Sequence, residues 1–488
     1  MMNLHRALRL LPLAWLLAFA GVPVEAATIG HGVYLSEKDD AARGEQEYKQ
    51  LLQTVGRYDD EAVQSYVNEV GQRVAAKSDR PDLKFTFTVL DSEEINAFAT
   101  DGGYIYIYRG LLGYLNSEAE LAAVLGHEIG HVTARHLARQ RTGGTLTNIG
   151  ATVLGVLTGS GAVMDVAGMA GSAIVSGYGR DHELEADGLG AKFISRVGYD
   201  PEAMIDVVRL LKNQEMLELQ MARTEGRQPH VYHGVFASHP DNDTRLHEAV
   251  KVVGKDHAVD HLPDNRAGFL AKIDGLAVGP SRAQGVARGS RFYHADLGVT
   301  FAFPSGWTIQ NMPDRVLAFT PAKDAAMIVS AQGYPNGMSP QQFVARLVNG
   351  VATSDARELD VNGLPGYTVI LSNTQLPWGN PGPLRLAVVY YNNLAYVFKA
   401  ATKYAGALKA QDPIFLSSIG TFRKLKDTEY ELAEPDRLRV ITANAGTRVE
   451  DLAKSSPIQK FPVEQLRLYN DLYPDKEPTD GQQIKVVE

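Results

Sequence analysis

The apolar positions of this chain change period several times, and each change marks an element. Ser36 to Arg57 and Asp59 to Ala76 read as two helices; in the second, Val63, Tyr66, Val67, Val70 and Val74 recur every three or four residues as one apolar stripe. The period then drops to two. Leu83-Lys84-Phe85-Thr86-Phe87-Thr88-Val89 alternates apolar and polar as a half-buried strand does, and Ile95 to Ala99 and Tyr104 to Tyr108, the latter behind a Gly102-Gly103 turn, extend the same pattern into a small sheet. At Ser117 the helical period returns. Ser117 and Glu120 form an S-x-x-E capping box ahead of Leu121, Val124 and Leu125. Asp181 opens a further helix through Leu189, Phe193 and Ile194 to Gly198. Asp200 caps the next, which has Pro201 at its first position and runs through Met204, Val207, Val208 and Leu211 to Met221.

Past Asp264, Gly, Ala, Ser and Arg accumulate from Gly275 to Gly289, the composition of a linker. Strands follow at Val299 to Phe303, Val316 to Thr320, Met327 to Ala331, Gly366 to Leu371, Leu386 to Tyr391 and Ala395 to Ala400. Asn392-Asn393 makes the turn between the last two, and helices are expected at Ser339 to Gly350 and near Pro413 to Ser418. The expected fold class is α+β: a mostly helical domain with a small sheet over 27–268, a linker at 269–289, an α+β domain over 290–427 and a small domain over 432–488.

Composition alters this picture at three points. With 488 residues the chain is too long for a single core. A net charge of −9 without a Lys/Arg cluster excludes nucleic acid as partner, because phosphate binding needs a basic patch. Arg6 and Arg9 precede an apolar run from Leu10 to Ala20 and the small-residue pattern Val24-Glu25-Ala26, which together read as a secretory signal peptide over 1–26. The absence of cysteine rules out disulfides and a lipidated Cys. Residues 143–177 carry Asp165 as their one charge, and the turn signal Thr158-Gly159-Ser160-Gly161 divides them into two short apolar arms. They are expected to form a helical hairpin beside the active site, with a membrane-contacting lid as the second reading.

The chemistry centres on His127-Glu128-Ile129-Gly130-His131, an H-E-x-x-H match on the helix opened by Ser117. Residues four apart share a helix face, so His127 and His131 can present two imidazole nitrogens to one Zn²⁺ while Glu128 leans over the same ion. A catalytic zinc takes three protein ligands and keeps one open position, so a third ligand must come from elsewhere. Glu183 is the best-placed candidate. Asp187, four residues on, shares its face and can orient a ligating histidine. His136 and His182 compete for the ligand role, and position alone reads each as a solvent-facing helix residue. His239, held extended by Pro240, can point into a cleft, and Arg245 follows on a short helix.

Together, His127 to His131, Glu183-x-x-Ala186-Asp187, Asn96-Ala97-Phe98-Ala99 before Gly102-Gly103, and Ser238-His239-Pro240 with Arg245 resemble the CAAX-prenyl-protease and HtpX family of zinc peptidases, in its soluble periplasmic, BepA-like branch. The resemblance covers about Leu35 to Val253. It implies a gluzincin fold, with Zn²⁺ on His127, His131 and Glu183 and with Glu128 as general base. It also implies that Asn96, Ala97, Phe98 and Ala99 form the edge on which an extended substrate pairs. His239, Arg245 and a Tyr from the loop before them are then the candidates for stabilising the oxyanion, and His239 is in addition expected to close the resting site as a fourth ligand. The 290–427 region is loosely similar to PsbP-like modules. Arg437 to Glu488 resembles a LysM module through Gly446-Thr447, Leu466-x-x-Tyr469-Asn470 and Gly481-Gln482-x-Ile484, which implies peptidoglycan as a partner.

The function expected from these readings is a periplasmic zinc metalloendopeptidase of a Gram-negative bacterium, acting on envelope or outer-membrane proteins in quality control or assembly. The alternative is a chaperone-like or peptidoglycan-anchored binding protein with little proteolysis.

Overall fold

A computed structural model describes residues 37–142, 179–227, 229, 245, 264–312 and 314–488. The expected signal peptide, the apolar stretch 143–177 and His239 lie outside the described residues. The chain divides into two compact units, one over residues 280–435 and one that takes the described residues on both sides of it, 37–279 and 436–488.

The unit that holds the H-E-x-x-H motif begins with α1 (Glu37–Thr54) and α2 (Glu61–Ala75). Asp60 starts α2 by accepting hydrogen bonds from the backbone N–H groups of Ala62 and Val63. A three-stranded sheet follows, with β1 (Thr86–Leu90), β2 (Ala97–Thr100) and β3 (Tyr104–Tyr108) in the order β1-β3-β2. β3 is central, parallel to β1 and antiparallel to β2. Next come α3 (Arg109–Tyr114), α4 (Glu118–Thr133), α5 (His136–Thr142), α6 (Arg180–Val197), α7 (Glu202–Glu225), α8 (Arg266–Ile273) and the short strand β4 (Ala277–Val278). The stripe Val63, Tyr66, Val67, Val70 and Val74 is buried in one core together with Leu121, Val124, Leu125, Phe193 and Ile194.

Residues 280–435 carry β5 (Val286–Arg288), β6 (Arg291–His294), β7 (Val299–Ala302), β8 (Thr308–Met312), β9 (Arg315–Phe319), β10 (Ala325–Gly333), α9 (Pro340–Val348), β11 (Thr353–Val361), β12 (Leu364–Gln375), β13 (Pro381–Tyr391), β14 (Leu394–Thr402), α10 (Leu408–Ile419) and β15 (Arg423–Lys424). Seven of the strands form one antiparallel sheet, β11-β12-β13-β14-β10-β9-β8. Asn392 and Asn393 both adopt positive φ at the β13–β14 hairpin, as a tight two-residue turn demands.

Two stretches differ from the composition-based reading. The stretch 269–289, expected as a linker, holds the end of α8 with Phe269, Leu270 and Ile273 buried, and then β4 and β5. Its glycines Gly275, Gly279, Gly285 and Gly289 take positive φ in the turns that flank β4 and β5, which by composition look like linker. Residues 436–488 build β16 (Asp436–Thr442), α11 (Val449–Ser455), α12 (Pro462–Tyr469) and β17 (Gln483–Val487). Their apolar side chains, Leu438, Leu466, Tyr469 and Val487 among them, belong to the same buried cluster as α2 and α4. The Tyr469 ring stacks on Tyr114 at 4.1 Å. The buried Lys485 ammonium donates to the carbonyls of Gly113, Tyr114 and Leu115 at 2.9, 3.3 and 2.6 Å, closing the C-terminal end of α3 just before α4 begins.

Candidate metal centre

α4 is fixed at its start by polar contacts. Ser117 accepts from the Glu120 N–H at 3.1 Å, and the Glu120 carboxylate reaches back to the Asn116 N–H at 2.8 Å, one residue beyond the position a capping box uses. Glu118, in the first turn, accepts from Tyr66 Oη at 2.8 Å, Tyr199 Oη at 2.5 Å, Arg73 Nη2 at 2.8 Å and Asn265 Nδ2 at 2.9 Å. Burial works against its charge, but the bonds from Tyr199, Tyr66 and Arg73 prevail and keep it below the usual carboxylate range.

Glycines set the approach of α6. A Cβ on Gly126 would meet Ile194 at 3.1 Å and the Gly190 carbonyl at 3.2 Å; one on Gly130 would meet the Ala186 carbonyl at 3.0 Å; one on Gly190 would meet the His127 backbone nitrogen at 2.9 Å. The two helices therefore touch backbone to backbone, and this puts Glu183 beside the histidines of α4.

There, His127 Nε2 and His131 Nε2 lie 2.9 Å apart, His127 Nε2 lies 3.5 Å from Glu183 Oε2, and His131 Nε2 lies 3.4 Å from Glu183 Oε1. Around a tetrahedral zinc with bonds of about 2.0–2.1 Å, neighbouring ligand atoms stand about 3.3 Å apart. The donor set and its spacing fit zinc, and it is the one such group among the described residues. All three side chains are buried, as is Glu128 next to His127.

Around this triad the charges are ordered. Asp187 Oδ1 lies 2.8 Å from His127 Nδ1. Arg245 donates from Nε to Asp187 Oδ2 at 2.8 Å and from Nη2 to Asp187 Oδ1 at 2.7 Å, and its Nη1 stands 3.4 Å from Glu183 Oε2. Burial pushes Asp187 up, yet the Arg245 charge and hydrogen bonds, then His127, hold it well below the usual carboxylate range. Burial likewise lowers His127, and Asp187 with Glu183 outweighs it, lifting the ring to about 9.

His136 departs from its expected solvent-facing position. Its side chain is fully buried, with Nδ1 2.8 Å from His131 Nδ1 and Nε2 3.2 Å from Glu185 Oε2. Arg135 takes φ 54° at the end of α4, and this reversal carries His136 beneath His131. Burial pushes His136 down to about 4, against the opposing hydrogen bond of Glu185. His182 is half-buried and stacks on His136 at 4.3 Å. Neither histidine belongs to the triad. Asn96, Ala97, Phe98 and Ala99 lie at and along β2, whose one strand partner among the described residues is β3, and all four are buried. Sequence reasoning missed the small-residue rows Gly126/Gly130 and Ala186/Gly190, each at the i, i+4 spacing that lets helices touch, and the His136–Glu185 pair.

Two histidines and a glutamate converging from two helices, with a glutamate adjacent to the first histidine, define the class of zinc metallopeptidases. The comparisons agree: residues 61–253 match Peptidase family M48, so the chain carries an M48 metallopeptidase domain. The beta-barrel assembly-enhancing protease of Yersinia pestis is 33% identical over 230 residues, 45% of this chain and 44% of that protein. Its namesake from Escherichia coli (strain K12) is 30% identical over 227 residues, with the same coverage. The mitochondrial metalloendopeptidase OMA1 of Arabidopsis thaliana is 31% identical over 144 residues, 29% of each chain. The chain spans less than half the length of these relatives. Among solved structures, cyanobacterial PsbP from Synechocystis sp. PCC 6803 aligns with 29% of this chain and 95% of its own, at 15% identity and a TM-score of 0.22. No helix among the described residues is long and apolar enough to cross a membrane.

Proposed function

We propose that this chain is a zinc-dependent metalloendopeptidase of the periplasm of a Gram-negative bacterium, cutting extended segments of envelope and outer-membrane proteins during their assembly or quality control. The observation that carries the chemistry is the convergence of His127 Nε2, His131 Nε2 and the Glu183 carboxylate at 2.9 to 3.5 Å, with Glu128 adjacent on the same helix. The substrate class and location are supported by the likeness to proteases named for β-barrel assembly.

His127, His131 and Glu183 would hold the zinc. Bound there, the metal supplies a Lewis acid that acidifies water and polarises the scissile carbonyl. Glu128 takes the proton from that water on its carboxylate and returns it to the leaving amine. Asp187 accepts from His127 Nδ1–H, so that Nε2 keeps its lone pair for the metal. Arg245, with its guanidinium against Asp187 and Glu183, keeps Asp187 ionised and holds both carboxylates in place. An extended substrate lies along β2, where Asn96 to Ala99 offer main-chain pairing beside α4.

The test is zinc analysis together with casein cleavage by the full chain and by Glu128→Gln. One zinc per chain with cleavage lost only in the variant is the expected result. A chain that cuts without zinc, or a fully active variant, would overturn it.

A further inference from the structure

The two histidines of the centre are oriented by different means. His127 Nδ1 faces a carboxylate, that of Asp187. His131 Nδ1 faces another histidine, whose far nitrogen faces Glu185, and the same Glu185 oxygen accepts from Arg139 Nη1 at 2.8 Å. We propose that His136 is a positioning residue of the metal centre, which through the relay His131–His136–Glu185 fixes His131 in its metal-binding tautomer. The inference rests on the zinc-peptidase reading above.

The argument is one of proton placement. Two ring nitrogens 2.8 Å apart share a single proton: two N–H groups would collide, and two lone pairs would repel. When His131 gives its Nε2 lone pair to a metal, its proton sits on Nδ1, and His136 Nδ1 must accept it. The proton of His136 is then on Nε2, where it donates to the Glu185 carboxylate 3.2 Å away. Reversing the relay would leave His131 with its proton on Nε2, aimed at Glu183 where the metal belongs, and would set a lone pair of His136 against the Glu185 charge. Glu185, paired with Arg139 through the same oxygen, therefore selects one direction for the whole chain of bonds. The His182 ring stacked on His136 and the complete burial of His136 keep the relay from turning or hydrating. The device depends on the reversal at Arg135, because without it His136 would continue along α4 away from His131.

Removing a partner of this kind from a metal-binding histidine weakens metal affinity by about 10–100-fold. Three variants of the full chain separate the acceptor from mere bulk. His136→Asn places an amide oxygen where Nδ1 was and keeps the acceptor; His136→Gln carries its amide further out, toward Glu185; His136→Leu removes both functions. Zinc dissociation constants come from competition with a chromophoric chelator, kcat and KM are read at saturating zinc, and thermal unfolding is followed in excess chelator. The expected result is a 10–100-fold loss of zinc affinity in His136→Gln and His136→Leu, near-wild-type affinity in His136→Asn, and equal metal-free stability of the Asn and Gln variants. Unchanged affinity in the Gln and Leu variants, or an Asn variant as weak as Gln, overturns the proposal. Should His136→Leu fail to fold, the Asn and Gln pair decides alone. Failure of the peptidase reading looks different: there, wild type itself binds no zinc, or Glu128→Gln still cuts.

Discussion

At the residue scale, the proposed function separates groups that would hold the metal from one that would handle the proton. Glu128 is buried beside His127, while α6 brings Glu183 to the two histidines as the third member of the candidate ligand set. Glu128→Gln should therefore retain zinc and stability and lose about 10²–10⁴ in turnover, whereas Glu183→Ala should lose zinc and activity together. Metal content and casein cleavage measured on the same preparations check both. A second residue, in the 280–435 unit, sets a pH dependence of its own. Burial pushes His294 in β6 from 6.5 down to about 4, so between these values the unfolded chain binds a proton that the folded chain refuses. Stability thus rises with pH across that window and falls on acidification, by about 2 kcal/mol at pH 5 relative to neutral pH. Urea unfolding between pH 7 and 4.5 should show this loss, and His294→Phe should flatten it. A flat wild-type profile would exclude the buried neutral ring. His127, Glu128 and His131 were legible in the sequence because a helix of period 3.6 turns spacing into position, whereas Glu183, on another helix, was named from the need for a third ligand and from the family resemblance. His136 was not, because its place depends on the left-handed turn at Arg135, and nothing in the sequence marks an arginine for positive φ.

At the scale of elements, the site is the crossing of α4 and α6. The stripes and caps that define these helices were readable, but how closely they approach depends on Gly126, Gly130 and Gly190, whose meaning appears only when the partner helix is known. A methyl group on Gly190 would stand 2.9 Å from the His127 backbone and 2.7 Å from Met204 Cε, so the helices must part or shift. Overpacking of this kind costs about 1–3 kcal/mol. Because Glu183 rides on α6 and the histidines on α4, the same shift opens the ligand triangle. Gly190→Ala should lower zinc affinity roughly tenfold while Gly188→Ala, at a position with open space around it, should not. Chelator competition on the two variants distinguishes a specific crossing from general sensitivity of α6.

At the scale of the whole molecule, the unit that holds the metal centre is discontinuous along the chain, with residues 280–435 inserted into it. β16 pairs antiparallel with β4, setting Asp436 opposite Val278 and Arg437 opposite Ala277, so the unit with the metal centre closes on itself as though 280–435 had been spliced into a hairpin. Composition read two boundaries there but could not show that the last segment returns to the first core, since pairing across that distance leaves no local pattern. The consequence is a contrast between two deletions. Joining Gly279 to Asp436 through a short glycine-containing turn removes the α+β unit and leaves β4, β16 and the Lys485 contacts to α3 in place. That chain should be soluble, bind one zinc and cleave casein within a few-fold of the full chain. Ending the chain at Gly279 instead strips Leu438, Leu466, Tyr469 and Val487 from the core and leaves the carbonyls of Gly113 to Leu115 without their ammonium, at about 1–3 kcal/mol for each buried acceptor left unmet. It should be insoluble or free of zinc, although every ligand is present. If the internal deletion fails and the truncation folds, residues 436–488 are an appendage, and the peptidase core ends before them.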